Sequence, residues 1–272
     1  WGNHGFSYPH IVQPIIDKHC GECHGHEDPP AQLELTGAQT DFFNVSYENL
    51  VRKGTPSEQW WPGGFGWPFT YSKYTSWIPT YNGQEANILE VAPGRWGAKA
   101  SLLAQIIDTN HPDPDGHPRI QLSQEEKRRL YAWMDLNCPY YGTSDSQNRE
   151  LRGCRQMLPV DFVPMMKDIG RRRCVSCHEN ADTDANWVFS LPGNFFIRID
   201  HPERNNFLRA PLAQAAGGTA KCAEAVFKDT NDPDYQRIIK SFKQLQEKFQ
   251  QRPRIDMISS LDQACVPVER VY

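Results

Sequence analysis

The sequence predicts a mainly α-helical protein of two domains with long irregular loops. Two observations carry this prediction. Apolar residues recur at helical spacing before each of two copies of the pattern Cys-x-x-Cys-His, which begin at Cys20 and Cys174. Between the copies, residues 142–148 form a polar, turn-rich stretch that is typical of a linker. We therefore predict one domain over residues 1–145 and a second over residues 146–272.

Three helices are predicted in the first half. The first leads into Cys20, and its apolar face comprises Ile11, Val12, Ile15 and Ile16. A second helix is expected to follow Ser101 as its N-cap. A third follows Ser123, which can form a capping box with Glu126. The predicted buried face of that third helix comprises Leu130, Trp133 and Met134.

The second half repeats the order of helix, motif, loop and closing helix. The apolar face of the helix before Cys174 comprises Phe162, Met165, Met166 and Ile169. Pro233 is expected to open a long amphipathic helix. Its apolar face comprises Tyr235, Ile238, Ile239, Phe242, Leu245 and Phe249.

Composition excludes some partners. The 272 residues carry a formal net charge of −4, so no strongly basic face for nucleic acid is expected. No run of about 18 apolar residues is present, so no transmembrane helix is predicted. Because the first residue is Trp1, we expect a processed product or a segment of a longer protein, with any export signal outside it.

The two Cys-x-x-Cys-His motifs carry the chemistry. They are Cys20, Cys23, His24 in the first half and Cys174, Cys177, His178 in the second. Two thiols three positions apart can each form a thioether to one vinyl group of the same haem, and the next residue then lies under the iron as an axial ligand. The sequence therefore predicts two covalently bound haem c groups, one in each domain.

Two other uses of paired cysteines are considered. Zinc sites usually place their second ligand pair about 12–20 residues from the first, whereas these pairs are far apart and each has its own histidine. A thioredoxin-like redox motif requires a βαβ pattern, which neither site has. Haem attachment is the favoured interpretation.

The sixth ligand of each iron decides between electron transfer and catalysis. For the first haem the candidates are His117, which is favoured, and His111, both in the loop before the third helix. For the second they are Met257, which is favoured, and His201. An iron that lacks a sixth protein ligand remains an alternative at the first site.

Four further cysteines suggest an oxidising compartment. The favoured disulfides are Cys138–Cys154 and Cys222–Cys265, because each bridge stays within one half of the chain; four free buried thiols are the alternative. The basic triplet at residues 171–173 is expected either to pair with haem propionates or to be solvated. The aromatic run in residues 60–77 is expected to pack against the first haem and the core, with a docking surface as the alternative.

Several segments resemble a known family. They are residues 14–24, 71–74, 97–101 and 133–140 in the first half, and residues 202–203, 208–213, 216–218 and 253–257 in the second. The first set resembles the cytochrome c domain of hydrazine synthase alpha subunits, and similar domains of large planctomycete-type secreted proteins. The second set resembles an extension seen in such proteins.

The resemblance implies a bis-histidine haem that serves electron transfer, with His24 and either His117 or His111 as ligands; the Gly116-His117 pair matches best. The chain has no counterpart of the separate catalytic haem region or the propeller of hydrazine synthase, so hydrazine synthesis is not expected.

These observations predict a dihaem c-type cytochrome that transfers electrons in the periplasm or outside the cell, as part of a larger redox protein or complex. Its expected partners are a redox protein or further cytochrome domains. The alternative is a haem enzyme, with one open iron that acts on peroxide or on a nitrogen or sulfur compound.

Overall fold

The computed structural model describes residues 6–52, 77–78, 94, 96–142, 158–179, 181 and 196–251. Within these ranges the protein is mainly helical and contains isolated β-bridges instead of strands, which confirms the predicted mainly α class. The α-helices are α1 (Gln13–Cys20), α2 (Val45–Tyr47), α3 (Leu102–Asp108), α4 (Gln124–Asp135), α5 (Phe162–Arg173), α6 (Asn206–Arg209) and α7 (Pro233–Gln251). Shorter turns of π-helix lie at Tyr8–Val12 and Glu48–Arg52, and 3₁₀ turns at Pro30–Gln32, Ala98–Ala100, Pro202–Arg204 and Gln214–Ala216. None of the described helices is both long and apolar enough to cross a membrane.

The described residues divide into two units. The first contains residues 6–37, 43–52, 77–78, 94 and 96–142, and the second contains residues 38–42, 158–179, 181 and 196–251. The predicted boundary at residues 145 and 146 lies outside the described residues. Residues 38–42 cluster with the second unit, although the prediction placed them inside the first domain.

The first unit has its core between the π-turn at Tyr8–Val12, α1, α3 and α4. Tyr8 is fully buried, and its ring centroid lies 5.0 Å from that of Trp133 on α4 and 5.2 Å from that of Tyr47 on α2. Ile15 and Ile16 turn the apolar face of α1 into the same cluster. This face is the one that the sequence predicts.

The N-termini of α3 and α4 form as predicted. The Ser101 hydroxyl accepts a hydrogen bond from the Ala104 amide, and it also donates to the Trp77 carbonyl. Ser123 and Glu126 exchange the two bonds of a capping box. These caps satisfy amide groups that the first turn of a helix leaves without a partner.

The second unit is built on α5 and α7. The Phe162 ring of α5 meets the Phe242 ring of α7 edge to face, with centroids 5.5 Å apart, and the Phe207 ring of α6 at 5.6 Å. The predicted apolar faces of both helices are buried, except that Ile239 is half-buried.

Residues 38–42 add a short bridge to this unit. Thr40 and Arg198 form an antiparallel bridge, and the Asp200 carboxylate accepts a hydrogen bond of 2.8 Å from the Gln39 amide. The Asp41 amide donates to the Ile197 carbonyl over 2.9 Å. The chain therefore leaves the first unit only 13 residues after His24 and returns to it at Phe43.

Glu126 ties the end of α1 to the start of α4. One of its carboxylate oxygens lies 2.8 Å from the Lys18 ammonium and 3.2 Å from the His19 Nε2, while the other accepts from the Ser123 amide. The hydrogen bonds from Lys18 and then from Ser123 hold the pKa of Glu126 well below its usual range. Since His19 directly precedes Cys20, this carboxylate fixes the turn from which the first motif emerges.

Replacing this carboxylate tests its contribution. Glu126→Gln is expected to lower the free energy of unfolding by about 1 kcal/mol at neutral pH, because a cap and two ion pairs are weakened. A carboxylate with a lowered folded pKa stabilises above its unfolded pKa and loses that contribution as the pH falls. The difference between the two proteins should therefore shrink below about pH 4.3. Urea unfolding followed by circular dichroism measures it.

The matched control is Glu125→Gln, since Glu125 pairs only with Arg129 at the exposed surface. Its expected effect is under about 0.5 kcal/mol. A Glu126→Gln deficit that persisted undiminished to strongly acidic pH would contradict the assignment.

Candidate functional site

The first Cys-x-x-Cys-His motif follows directly from the last turn of α1. Cys20 is the final residue of the helix and is half-buried, whereas Cys23 is exposed. The His24 amide donates to the Cys20 carbonyl over 2.9 Å, so one further helical turn closes around the motif. Both thiols and the imidazole are therefore carried by a single continuous turn.

The His24 imidazole has a partner that fixes its chemistry. Its Nδ1 lies 2.7 Å from the Leu33 carbonyl oxygen. A carbonyl can only accept a hydrogen bond, so Nδ1 is the donor, and in the neutral imidazole the lone pair is then on Nε2. This is the tautomer that a metal-binding histidine needs, with its other nitrogen donating to a backbone carbonyl.

The segment that accepts this bond is itself held in place. The Leu35 amide donates to the His24 carbonyl over 2.9 Å, and the Gln13 side chain of α1 donates to the Leu35 carbonyl over 3.2 Å. The Asn49 side chain donates to the Glu34 carbonyl over 2.8 Å. Backbone and amide bonds therefore set the direction of the imidazole ring.

The second motif has the same construction. The α5 helix ends at Arg173, and the Cys174 amide donates to the Gly170 carbonyl over 2.8 Å. The His178 amide then donates to the Cys174 carbonyl over 2.9 Å, as the His24 amide does to that of Cys20. Two units with different cores thus place two thiols and an imidazole on the same helical turn.

A cavity of about 1140 Å³ opens beside the second motif, with Cys174, Cys177 and His178 in its wall. The rest of the wall is largely apolar and includes Ile169, Phe207, Pro211 and Phe227. Cofactor pockets are typically of about 300–1,000 Å³ and lined mostly by apolar groups. The donor set, the volume and the lining fit a haem group.

Basic residues stand at the edge of this cavity with carboxylate partners. Arg172 pairs with Asp234 at 2.8 Å and Asp168 at 3.0 Å, and Arg173 pairs with Asp232 at 2.8 Å. The hydrogen bonds that Arg172 donates to Asp234 and then to Asp168 raise the pKa of its guanidinium. The sequence predicted that these arginines either pair with haem propionates or are solvated. In the structure they form ion pairs with aspartates.

The first cysteine of each motif is an unreactive thiol. Burial, and then the neighbouring Cys23 and Asp17, raise the pKa of Cys20 to about 11. Burial, and then Cys222, raise the pKa of Cys174 to about 11. Cysteines of thiol–disulfide catalysts have lowered pKa values instead. These thiols are therefore poor candidates for redox catalysis.

The structure separates the two candidate ligands of the first haem. The His111 side chain is half-buried, and its pKa is lowered by burial and then by Arg119 and His24. His111 therefore lies within electrostatic range of His24.

His117 is placed differently from the prediction. Its side chain is 78% exposed, and its Nδ1 lies 3.3 Å from the Asp113 carboxylate. With Asp113 and Asp115 it forms an exposed group at the loop surface. His111 is therefore the more enclosed of the two predicted ligands.

For the second haem, the structure places one of the two predicted ligands. His201 caps the 3₁₀ turn at Pro202–Arg204, its Nδ1 lies 3.2 Å from a Glu203 oxygen, and it is absent from the cavity wall. Met257 lies outside the described residues. The potential iron ligands in the wall are residues that the sequence analysis did not select: Met166, Lys221 and Cys222.

The structure describes one cysteine of each expected disulfide, so the two pairings stay predictions. Cys138 and Cys222 are both free thiols, and their expected partners Cys154 and Cys265 lie outside the described residues. Cys138 is buried beside the core of the first unit, and Cys222 is in the wall of the cavity.

Comparison with known proteins adds no family assignment. No protein-family model, no curated protein and no solved structure matches the chain. The function is therefore argued from the geometry of the two motifs.

The raised pKa values of the Cys20 and Cys174 thiols can be tested by alkylation of the haem-free chain. The rates at which iodoacetamide alkylates Cys20 and Cys174 are expected to rise with pH up to about 11, because only the thiolate reacts. Peptide mass mapping after timed labelling follows each cysteine, with the urea-unfolded chain as the control for an ordinary thiol. An inflection below pH 8 at either position would contradict a structural role and favour redox catalysis.

Proposed function

We propose that this chain is a dihaem c-type cytochrome that transfers electrons. The proposal rests chiefly on the bond between the His24 Nδ1 and the Leu33 carbonyl, 2.7 Å long. It leaves the Nε2 lone pair available on the same helical turn as two thiols. This is the arrangement in which one porphyrin is attached through two thioethers and ligated by the adjacent imidazole.

Zinc explains the geometry less well. A structural zinc site needs four converging ligands. Among the described residues, the one group of three or more metal-binding side chains with converging atoms is Asp113, Asp115 and His117, which contains no cysteine. Among the described residues, the cysteine and histidine ligand atoms of the two motifs therefore do not converge as a closed zinc site requires.

Haem c supplies a reversible one-electron iron couple when it is bound. The chain holds it through Cys20, Cys23 and His24 in the first unit, and through Cys174, Cys177 and His178 beside the cavity of the second. The Leu33 carbonyl polarises the first imidazole and keeps its orientation during electron transfer. The ion pairs of Arg172 and Arg173 fix the end of α5 from which the second motif emerges.

We assign His111 as the sixth ligand of the first haem. A half-buried imidazole within electrostatic range of His24 favours a bis-histidine, closed iron and therefore electron transfer over catalysis. The backbone of Asn110 and His111 is left-handed, with φ of 59° and 47°, and the Arg119 amide donates to the Asn110 carbonyl over 3.1 Å. The loop therefore holds His111 in an orientation that an unrestrained chain seldom adopts.

One observation favours an enzyme as the second candidate. The cavity of about 1140 Å³ beside Cys174 and His178 has room beyond that of a tightly enclosed cofactor, and His201 is not in its wall. An iron without a sixth ligand there would admit a small substrate. Rapid binding of carbon monoxide at one of the two haems distinguishes this function from simple electron transfer.

Covalent haem and the likeness to the cytochrome c domain of hydrazine synthase alpha subunits support a location in the periplasm or outside the cell. They also support a place in a larger redox protein or complex, with a redox protein or further cytochrome domains as partners.

Haem content tests the proposal directly. The chain matured in a host that attaches haem c is expected to gain two groups of about 616 Da each. Cys174→Ser with Cys177→Ser should leave one haem, and Cys20→Ser with Cys23→Ser should leave the other. Intact mass spectrometry and the pyridine haemochrome spectrum count them. A mass equal to that of the polypeptide alone would overturn the proposal.

Substitution of the two loop histidines tests the assignment of the sixth ligand. His111→Ala is expected to convert the first haem from low spin to high spin, because a ligand to the iron is lost. The control His117→Ala, in the same loop but 78% exposed, should leave the spectrum unchanged. Resonance Raman spectra of the ferric proteins report the spin state. The opposite pattern would assign His117 instead.

A further inference from the structure

A loop between Pro211 and Phe227 supplies a second wall of the cavity beside Cys174 and His178. Its two ends are joined. The Val226 amide donates to the Pro211 carbonyl and the Ala213 amide to the Phe227 carbonyl, both over 2.9 Å, and Leu212 forms a parallel bridge with Phe227. The loop is therefore closed at its base.

Glycine makes the tight course of this loop possible. A Cβ on Gly218 would lie 1.7 Å from the Leu212 carbonyl oxygen, a distance that no side chain tolerates. Gly217 has a φ of 94°, in the region that other residues rarely adopt. Gly217 and Gly218 therefore allow residues 219–225 to fold back over the cavity.

Arg173 fastens the loop to the second motif. Its guanidinium lies 4.9 Å from the centre of the Phe227 ring and donates to the Val226 carbonyl. Because Arg173 directly precedes Cys174, the loop and the motif are held together by adjacent residues. The hydrogen bond to Val226 and the contact with the Phe227 ring therefore hold this end of the loop beside the motif.

Three side chains of the wall can ligate iron: Met166, Lys221 and Cys222. Met166 belongs to α5, is 2% exposed and packs in the core of the unit. Lys221 is exposed. Cys222 is half-buried and has a free thiol, and it lies within electrostatic range of both Cys174 and Cys177. It therefore stands with the two attachment sulfurs and His178 around one cavity.

We propose that the Cys222 sulfur would ligate the iron of the second haem together with His178. This inference rests on the proposed haem attachment and goes beyond it, since it gives the second haem a ligand set of histidine and thiolate. An iron–sulfur bond forms, the thiol proton leaves to solvent, and no electron is transferred in the step. A thiolate donates more electron density than methionine and stabilises the ferric state.

Different ligands at the two irons make the test spectroscopic. The full chain with both haems is expected to show two low-spin ferric signals by electron paramagnetic resonance. One should have the narrow spread of g values that thiolate ligation produces, and the other the wider spread of bis-histidine ligation. The near-infrared band of a methionine–iron bond should be absent by magnetic circular dichroism.

Cys222→Ala should abolish the thiolate signal and convert half of the total haem to a form that binds carbon monoxide. Cys222→Ser, which keeps a small polar side chain, should do the same and guards against a folding failure. Lys228→Ala, at an exposed position outside the cavity wall, is the matched control and should leave both signals unchanged.

The outcomes distinguish a failure of the Cys222 assignment from a failure of haem attachment. Two haems by mass with spectra unaltered in Cys222→Ala would overturn the assignment of Cys222 alone. Loss of a low-spin signal in Met257→Ala or Lys221→Ala, but not in Cys222→Ala, would assign the competing residue and overturn it as well. A chain without added haem mass would overturn the proposed function, and this inference with it.

Discussion

One constraint organises both candidate sites: the helix before each motif continues for one more turn through the cysteines. The amide of His24 bonds to the carbonyl of Cys20, and the amide of His178 bonds to that of Cys174, in each case over 2.9 Å. On a helical turn, residues three and four positions apart lie on the same face. Without this turn, thioether attachment and axial ligation could not involve the same porphyrin.

Local signals were enough to predict the longer helices. The caps at Ser101 and Ser123 and the apolar face that begins at Phe162 depend only on neighbours within a few residues. The same is true of the motifs, whose chemistry is set by residue type and spacing. Sequence reasoning therefore predicted the mainly α-helical class, while the haem-binding role of the two motifs stays a prediction.

Contacts between distant residues escaped prediction for a physical reason. Nothing near residues 38–42 indicates that they pair with Arg198 and Asp200, because a β-bridge is specified by its partner as much as by its own sequence. The choice between His111 and His117 depends on burial, which the loop sequence does not encode locally. Cys222 was assigned to a disulfide because compartment arguments count cysteines without placing them.

The two units surround the same motif with different neighbouring contacts. The His24 ring is fixed by the Leu33 carbonyl, whereas the second motif is bordered by a roomy cavity and a loop fastened through Arg173. Buried hydrogen bonds make a ligand set rigid, and a cavity closed by one loop leaves room for a change of ligand. Any difference in potential and in access between the two proposed haem sites is therefore expected to arise from these outer contacts, since the attachment motifs are identical in kind.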